Sequence, residues 1–304
     1  MRDPRSKALL ASALLALALP ACSIKKLAVN SLGNALAEGG KSYASDDDPE
    51  LIREAVPFGL KTVEGLLEES PRHKGLLFAA ASGFVQYGYG RVQQEADFVE
   101  AHDLARATEL RKRARRLYLR ALGYGFRGLE VDFPGLRERL HSEGAPALAR
   151  TRKEHVPLLY FTGLAWFAAI SVSKDDSELT ADQGQAEALM RRALALDESY
   201  DHGALHDFFI SWEGRGESVG GSFARARTHL ERAEALAGGK RVSALVNFAE
   251  TVSVAQQDRK EFERLLREAL AVDADATPDM RLANLVYQKR ARWLLAHADD
   301  LFVE

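Results

Sequence analysis

Cysteine is nearly absent from this sequence, since Cys22 is the only one. A single thiol excludes an internal disulfide and any cysteine cluster that could hold a metal ion. Sustained alternation of apolar and polar residues, the pattern of a half-buried β-strand, is also missing, and isoleucine is scarce. We therefore expect an all-α protein.

An excess of positive charge is missing as well. Lys and Arg total 41 against 44 Asp and Glu, which gives a formal net charge of −3 at pH 7. The arginines between residues 103 and 122 lie opposite Leu110, Ala114 and Tyr118 at helical spacing, so they fit a solvated helix face. The bulk charge gives no reason to bind nucleic acid, and we expect no nucleic-acid partner.

No apolar run is long enough for an ordinary transmembrane helix, which needs about 20 residues. The longest run, residues 8–21, follows Arg2, Arg5 and Lys7, which is the pattern of a signal peptide. A charged start, a short apolar core and a small residue before the cleavage point are read by the export machinery. We expect residues 1–21 to be a signal peptide and residues 22–304 to be the mature protein.

The end of this run, Leu19-Pro20-Ala21-Cys22, resembles a bacterial lipoprotein signal, in which the cysteine becomes the lipidated first residue. The resemblance implies a periplasmic protein that is anchored by lipid at Cys22 and does not span the membrane. Ser23, rather than Asp, favours the outer membrane. The alternative is a plain secretory signal with an incidental cysteine.

One apolar pattern recurs along the chain, and its last three copies start about 40 and then about 36 residues apart, which is typical of two-helix solenoid repeats. Each copy has three apolar residues spaced by four and then three positions, which keeps them on one helical face. The copies are Gly59, Val63 and Leu66; Ala114, Tyr118 and Ala121; Ala186, Met190 and Ala193; Ala226, Leu230 and Ala233; and Phe262, Leu266 and Ala269. The pattern predicts tetratricopeptide-like (TPR-like) repeats.

The predicted architecture is an α-α superhelix of about four degenerate TPR-like helix pairs, with capping helices at both ends. Asp48 before Pro49 and Asp103 are helix-start signals. Gly123, Gly125 and Gly128 should break regular structure, so we expect an irregular insertion at about 123–156. The later pairs are 157–172 with 182–196, 203–213 with 222–237, and 241–256 with 259–272, followed by a helix from Pro278. Residues 22–304 should form one domain.

Catalytic motifs are not evident. His202 and His206 stand four residues apart, a spacing that could hold zinc on one helix face, but no convincing third ligand follows, and helix-start contacts explain them better. The pair Glu69-Ser70 resembles the site of a lytic transglycosylase, whose catalytic acid is a Glu on a helix. Here the pair lies at the end of a helix, and the Gly-Leu-Met-Gln motif of those enzymes is missing. We expect no enzyme, no metal and no cofactor.

Several segments resemble the TatT family of lipoproteins, which are associated with tripartite ATP-independent periplasmic (TRAP) transporters. The segments are Ala55-Val56-Pro57-Phe58-Gly59-Leu60-Lys61, Leu159-Tyr160-Phe161, Arg192-Ala193-Leu194-Ala195-Leu196-Asp197, Arg290-Ala291-Arg292-Trp293-Leu294-Leu295 and Asp299-Asp300-Leu301-Phe302. Phe161 stands where the family would have Trp, an aromatic exchange. The resemblance implies a helical, homotrimeric protein that meets the transporter's substrate-binding protein and offers an apolar tunnel or cavity to a ligand.

Helix 157–172 is apolar nearly all round, so it is either a core helix or one that faces an apolar cavity. Aromatic side chains concentrate there and near residue 88, and the candidates for a cavity lining are Tyr87, Tyr89, Phe161, Trp166 and Phe167. Packing between helices is the other interpretation of these five residues.

The sequence thus predicts a lipid-anchored accessory protein of a TRAP-type uptake system. Its protein partner would be the substrate-binding protein, and it would also bind a hydrophobic ligand. The alternative is a TPR-like lipoprotein scaffold for outer-membrane assembly. A cell-wall lytic enzyme is the least favoured of these three interpretations.

Overall fold

The computed structural model describes residues 30–35 and 40–303, and within these ranges it is helical without a β-strand. The all-α prediction is confirmed. Residues 30–35 are helical, and fifteen α-helices follow: α1 Gly40–Ala44, α2 Pro49–Glu69, α3 Lys74–Tyr87, α4 Gln94–Val99, α5 Leu104–Leu129, α6 Leu136–Glu143, α7 Val156–Ser171, α8 Ser177–Ala181, α9 Gln183–Leu196, α10 Ala204–Glu213, α11 Phe223–Ala237, α12 Val242–Phe248, α13 Arg259–Ala271, α14 Arg281–Ala296 and α15 Ala298–Leu301. Cys22 and the predicted signal peptide lie outside the described residues.

Aspartate side chains begin three of the long helices, two of them, at Asp48 and Asp103, as the helix-start signals predict. Asp48 accepts hydrogen bonds from the backbone N–H groups of Glu50 and Leu51, and Pro49 occupies the first turn of α2. Asp103 accepts from the N–H of Arg106 and begins α5, and Asp258 accepts from the N–H of Glu261 and begins α13. Each carboxylate satisfies N–H groups that have no partner within the helix and suits the positive end of the helix dipole.

Helices that follow one another in sequence pack against one another. α3 packs between α2 and α5, α7 packs between α5 and α9, and α10 packs against α11. The apolar triplets face these contacts, because Ala186, Met190 and Ala193 are fully buried, and so are their counterparts in α5, α11 and α13. Only the triplet of α2 is partly exposed, since Gly59 and Leu66 are half-buried.

The prediction that Gly123, Gly125 and Gly128 break the chain is wrong, because α5 continues through all three to Leu129. A Cβ on Gly125 would lie 2.3 Å from Oγ1 of Thr162, and one on Gly128 would lie 2.8 Å from Cδ2 of Leu158. These two glycines let α7 approach α5 closely, which outweighs their poor helix propensity of about 1 kcal/mol each.

Two of the predicted long helices contain a π-helical turn. Gly88–Gln93 joins α3 to α4, and Ala249–Ser253 follows α12. A π-turn inserts one residue into the helical ladder and turns the side chains that follow. The first of these turns carries Tyr89, and the second carries Glu250.

The last long helix returns to the first ones. Arg281 of α14 donates a hydrogen bond to the backbone oxygen of Ser45 at 2.9 Å, and the Lys289 ammonium lies 3.6 Å from Glu50 of α2. The rings of Phe98 in α4 and Trp293 in α14 have centroids 5.4 Å apart. The chain therefore closes on itself, with α14 between α12, α13 and the elements around α4. No helix of the described ranges is long and apolar enough to cross a membrane.

Candidate ligand-binding interior

Aromatic rings from distant parts of the chain meet inside this closed arrangement. They come from α3, the first π-turn, α7, the residues before α10, α10 itself and α14, and most of them are only partly buried. The rings are Phe78, Tyr89, Tyr160, Phe161, Phe167, Tyr200, Phe208, Trp212 and Tyr287. We call this set the aromatic interior.

One part of the aromatic interior is a continuous series of ring contacts. Phe161 meets Phe78 edge-on at 5.7 Å and Tyr160 edge-on at 4.9 Å, and Tyr160 lies 5.5 Å from Tyr200. Edge-to-face pairs at these distances are favourable beyond the apolar area that they bury. The series links α3 to α7 and to the turn before α10.

A second group lies further along α7. The ring of Phe167 contacts Phe208 at 4.8 Å and Trp212 edge-on at 4.6 Å. Trp212 donates its indole N–H to Glu187 of α9 at 3.2 Å, which fixes the orientation of its ring. This group presents a rigid apolar wall built from two consecutive helix pairs.

Tyr89 and Tyr287 come from the first and the last third of the sequence, and their ring centroids lie 5.7 Å apart in the aromatic interior. Burial raises the pKa of both phenols; Tyr89 raises the pKa of Tyr287 further, whereas the hydrogen bond with Tyr287 lowers the pKa of Tyr89. Both side chains nevertheless keep partial exposure. Both rings are therefore largely, though not completely, removed from solvent.

Two groups of charged residues flank the aromatic interior. Arg241 donates its Nε–H to Asp207 at 2.5 Å, and Ser243 donates its hydroxyl to the same oxygen at 2.5 Å. Burial lowers the pKa of Arg241, but the carboxylates of Asp207 and Asp201 outweigh this and hold it above its ordinary value. Arg241 is therefore a permanent cation, and its field extends to Tyr160.

The second charged group connects α14 to α4 and to the second π-turn. The Arg290 guanidinium of α14 pairs with Glu250 of the second π-turn and lies 3.1 Å from Asp97 of α4. The Arg290 side chain is 8 % exposed, and the ring of Trp293 lies 4.7 Å from its guanidinium carbon. Burial raises the pKa of Asp97, although the nearby Arg290 lowers it. This buried ion pair fixes the position of α14 against α4.

The five predicted lining residues fall into three environments. Tyr89, Phe161 and Phe167 belong to the aromatic interior. Trp166 is fully buried and packs edge-on against Phe126 at 5.4 Å, so it lies in the core between α5 and α7. Tyr87 lies at the edge, where its hydroxyl accepts a hydrogen bond from Arg113 at 3.3 Å.

His202 and His206, the pair with zinc-like spacing, point to different partners. His202 contacts Asp279 at 2.8 Å, whereas Nδ1 of His206 lies 2.8 Å from Nδ1 of His229 in α11. The two residues are not on one helix face, because Asp201 and His202 have positive φ angles and precede α10. Among the described residues, no three His, Cys, Asp or Glu side chains gather as a metal site would require.

Comparison with known proteins gives the family. A model described as "TRAP transporter T-component" matches residues 45–302. The chain belongs to the TRAP transporter T-component family. The resemblance to TatT proteins is thereby confirmed. The chain is also similar to a protein of Treponema pallidum (strain Nichols) described as uncharacterized, with 29% identity over 306 residues that cover 93% of this chain and 94% of the relative. T-components are accessory parts of TRAP systems and are not known as enzymes.

Sequence reasoning missed six members of the aromatic interior, among them Tyr160, Tyr200, Phe208 and Tyr287. Tyr160 precedes the predicted Phe161, and Phe208 lies within a short apolar helix, so local aromatic density could have included them. Nothing local indicates Tyr287, because its role depends on the return of α14 to the first π-turn.

Proposed function

We propose that the protein is a periplasmic, lipid-anchored accessory component of a TRAP uptake system that holds a hydrophobic ligand in the aromatic interior. The match to the T-component family over residues 45–302 carries the proposal. The partly buried rings of Tyr89, Phe161 and Phe167 support the ligand part, because concave apolar sites with a few polar groups are the usual form of small-molecule sites.

The scaffold of this proposal is a single TPR-like domain, residues 22–304, in which about four helix pairs stack as a solenoid. The buried triplets and the pairing of α10 with α11 and of α12 with α13 support it. An anchor at Cys22 would keep the domain at the membrane, with the outer membrane favoured by Ser23. Homotrimer formation is the assembly that the family resemblance implies.

The partner in this proposal is the substrate-binding protein of the same transporter. The test is to purify both proteins and measure their association at micromolar concentration, with and without the transported solute, by co-migration on size exclusion. Association is expected. A complete lack of association in both conditions would remove the main support for the proposal. A scaffold for outer-membrane assembly would instead bind assembly proteins and ignore the binding protein.

The ligand part is tested separately by extracting small molecules from protein purified without denaturation and identifying them by mass spectrometry. The expected compound is apolar or aromatic, with a polar group that can reach a tyrosine hydroxyl. An interior that takes up no apolar probe, in protein that binds its partner normally, would leave an accessory role without ligand binding.

A further inference from the structure

Arginine recurs every seven residues along one flank of α5, at Arg106, Arg113, Arg120 and Arg127. Seven residues are close to two helical turns, so these side chains lie on one side of the helix. That side faces α2 and the end of α3. Arg120 pairs with Glu64 of α2, Arg127 donates to the backbone oxygen of Pro71 at 3.2 Å, and Arg113 donates to the Tyr87 hydroxyl. The row therefore runs beside the strip of α3 that lies between α2 and α5, and we call this strip the groove.

Further cations lie on the opposite side of this groove. Lys61 and Arg53 belong to α2, and Arg91 belongs to the first π-turn. Arg91 shares Glu95 with Arg106 of α5, and Lys61 shares Glu64 with Arg120 of α5, so cations from both sides of the groove are close neighbours. We call the set Arg53, Lys61, Arg91, Arg106, Arg113 and Arg120 the basic groove.

The basic groove has fewer carboxylates than cations. Glu50 pairs with Arg53 at 2.6 Å, Glu95 is shared by Arg91 and Arg106, and Glu64 is shared by Lys61 and Arg120. Three carboxylates thus pair with five of the six cations, and Arg113 has no carboxylate partner within the described residues. A local excess of positive charge is unexpected on a chain whose formal net charge is −3.

Aromatic side chains lie beside two of the exposed arginines of this surface. Arginine and aromatic residues are enriched at interface hot spots, and here Tyr87 lies beneath Arg113 while the Phe84 ring lies 5.0 Å from the Arg120 guanidinium carbon. Phe58, one turn from Lys61 on α2, is 80% exposed and offers an apolar contact at the rim.

The positive charge of the basic groove also limits which molecules could bind there. The chain's own segment before α1, residues 23–39, carries Lys25 and Lys26 against a single acidic residue, Glu38, so its net charge is also positive and it would be repelled. An acidic protein surface is attracted, and such complementarity accelerates association and fixes register. We propose that the basic groove is the docking surface for an acidic face of a partner protein. Under the proposed function, on which this assignment rests, that partner is the substrate-binding protein.

The test measures the affinity of the full-length protein in detergent for the purified substrate-binding protein at low and high salt. The double variant Arg106→Glu/Arg113→Glu reverses two exposed charges. The matched control is Arg264→Glu in α13, because Arg264 is 56% exposed and Arg106 is 55% exposed, and both have a carboxylate partner. We expect the double variant to lose about tenfold or more in affinity and most of its salt dependence, and the control to stay within about twofold.

The neutral variant Arg113→Gln should fall between wild type and the double variant, and it provides the answer if the charge reversals disturb the fold by circular dichroism. Wild-type affinity in a folded double variant would overturn the docking assignment while leaving the proposed function intact. A wild-type protein that does not bind at all would instead refute the proposed function.

The same variants distinguish two other binding partners of the basic groove, an anionic lipid surface and a second copy of this chain. If the substitutions abolish binding to phosphatidylglycerol vesicles and leave the partner affinity unchanged, the groove recognises lipid and the assignment is wrong. It is equally wrong if sedimentation shows that the double variant dissociates an oligomer while its affinity for the partner stays the same.

Discussion

The rings of Tyr89 and Tyr287 lie 5.7 Å apart, although the first belongs to the π-turn after α3 and the second to the last long helix. Their contact coincides with the buried ion pair between Arg290 and Asp97 and with the contact between Phe98 and Trp293. Tyr287 therefore joins the aromatic interior only when α14 is docked against α4 and the first π-turn. Stability of this docking and access to the interior should be coupled.

Removing the buried cation should be costly. Arg290→Met leaves Glu250 without its counter-charge and Asp97 with Arg111 alone, which is expected to lower the free energy of unfolding by about 3 kcal/mol. The neighbouring Lys289→Met is the control, since Lys289 is 59% exposed and its exposed pair with Glu50 is worth at most about 1 kcal/mol. Urea denaturation of both variants measures the difference. Equal stability of the two would show that the pair does not hold α14.

The glycines of α5 should respond differently to alanine. Gly125→Ala places a methyl group against Thr162 and is expected to destabilise the protein by about 1–3 kcal/mol. Gly123 has open space around the same position, so Gly123→Ala should stabilise it by about 0.5–1 kcal/mol through helix propensity. Thermal and urea unfolding compare them. Destabilisation of both to the same extent would contradict the close approach of α5 and α7.

Substitutions in the aromatic interior should affect ligand uptake more than folding. Phe161→Ala and Phe208→Ala each remove ring contacts worth about 1 kcal/mol, and we expect the affinity for the neutral probe N-phenyl-1-naphthylamine to fall about fivefold. Phe58→Ala, on the exposed side of α2, is the control and should bind the probe normally. Loss of probe binding only in variants that also unfold would favour the packing interpretation.

The histidine pair should make the protein less stable in acid. Burial, followed by the neighbouring His206, lowers the pKa of His229 to about 4, and burial also lowers that of His206. The unfolded chain therefore takes up protons below its ordinary pKa of about 6.5 while the folded protein does not. Stability should fall as the pH drops from about 6.5 toward 4.

Unfolding by urea across this range tests the effect. His229→Gln should give a shallower dependence on pH than wild type, whereas His102→Gln, at an exposed position in the turn before α5, should leave the slope unchanged. An unchanged slope in His229→Gln would assign the acid sensitivity to carboxylates elsewhere.

The anchor is tested in cells. Cys22→Ala should abolish labelling by a fatty-acid analogue and release the protein from the membrane fraction, because a lipidated cysteine is the proposed attachment. Persistent labelling of the variant would refute lipidation at this position. A plain secretory signal predicts no labelling of the wild type either.

Local sequence determined much of the helical framework. Asp48, Asp103 and Asp258 begin their helices because a carboxylate can bond to the free N–H groups of the first turn whatever lies around it. The triplet Ala186, Met190 and Ala193 is buried because its spacing puts all three side chains on one face. These features depend on neighbours within one or two turns, so periodicity and capping predict them.

The tertiary structure decided the rest. Gly125 lies inside α5 because the approach of α7 requires a residue without a side chain there, and this requirement comes from another helix. In the same way, Tyr287 and Arg290 acquire their partners only when α14 returns to the beginning of the chain. The sequence by itself determined where most helices begin and which face the repeated triplets bury, but not that α5 continues through its three glycines. Only the packing of distant segments decided which rings enclose the interior, because such contacts depend on the relative placement of whole helices.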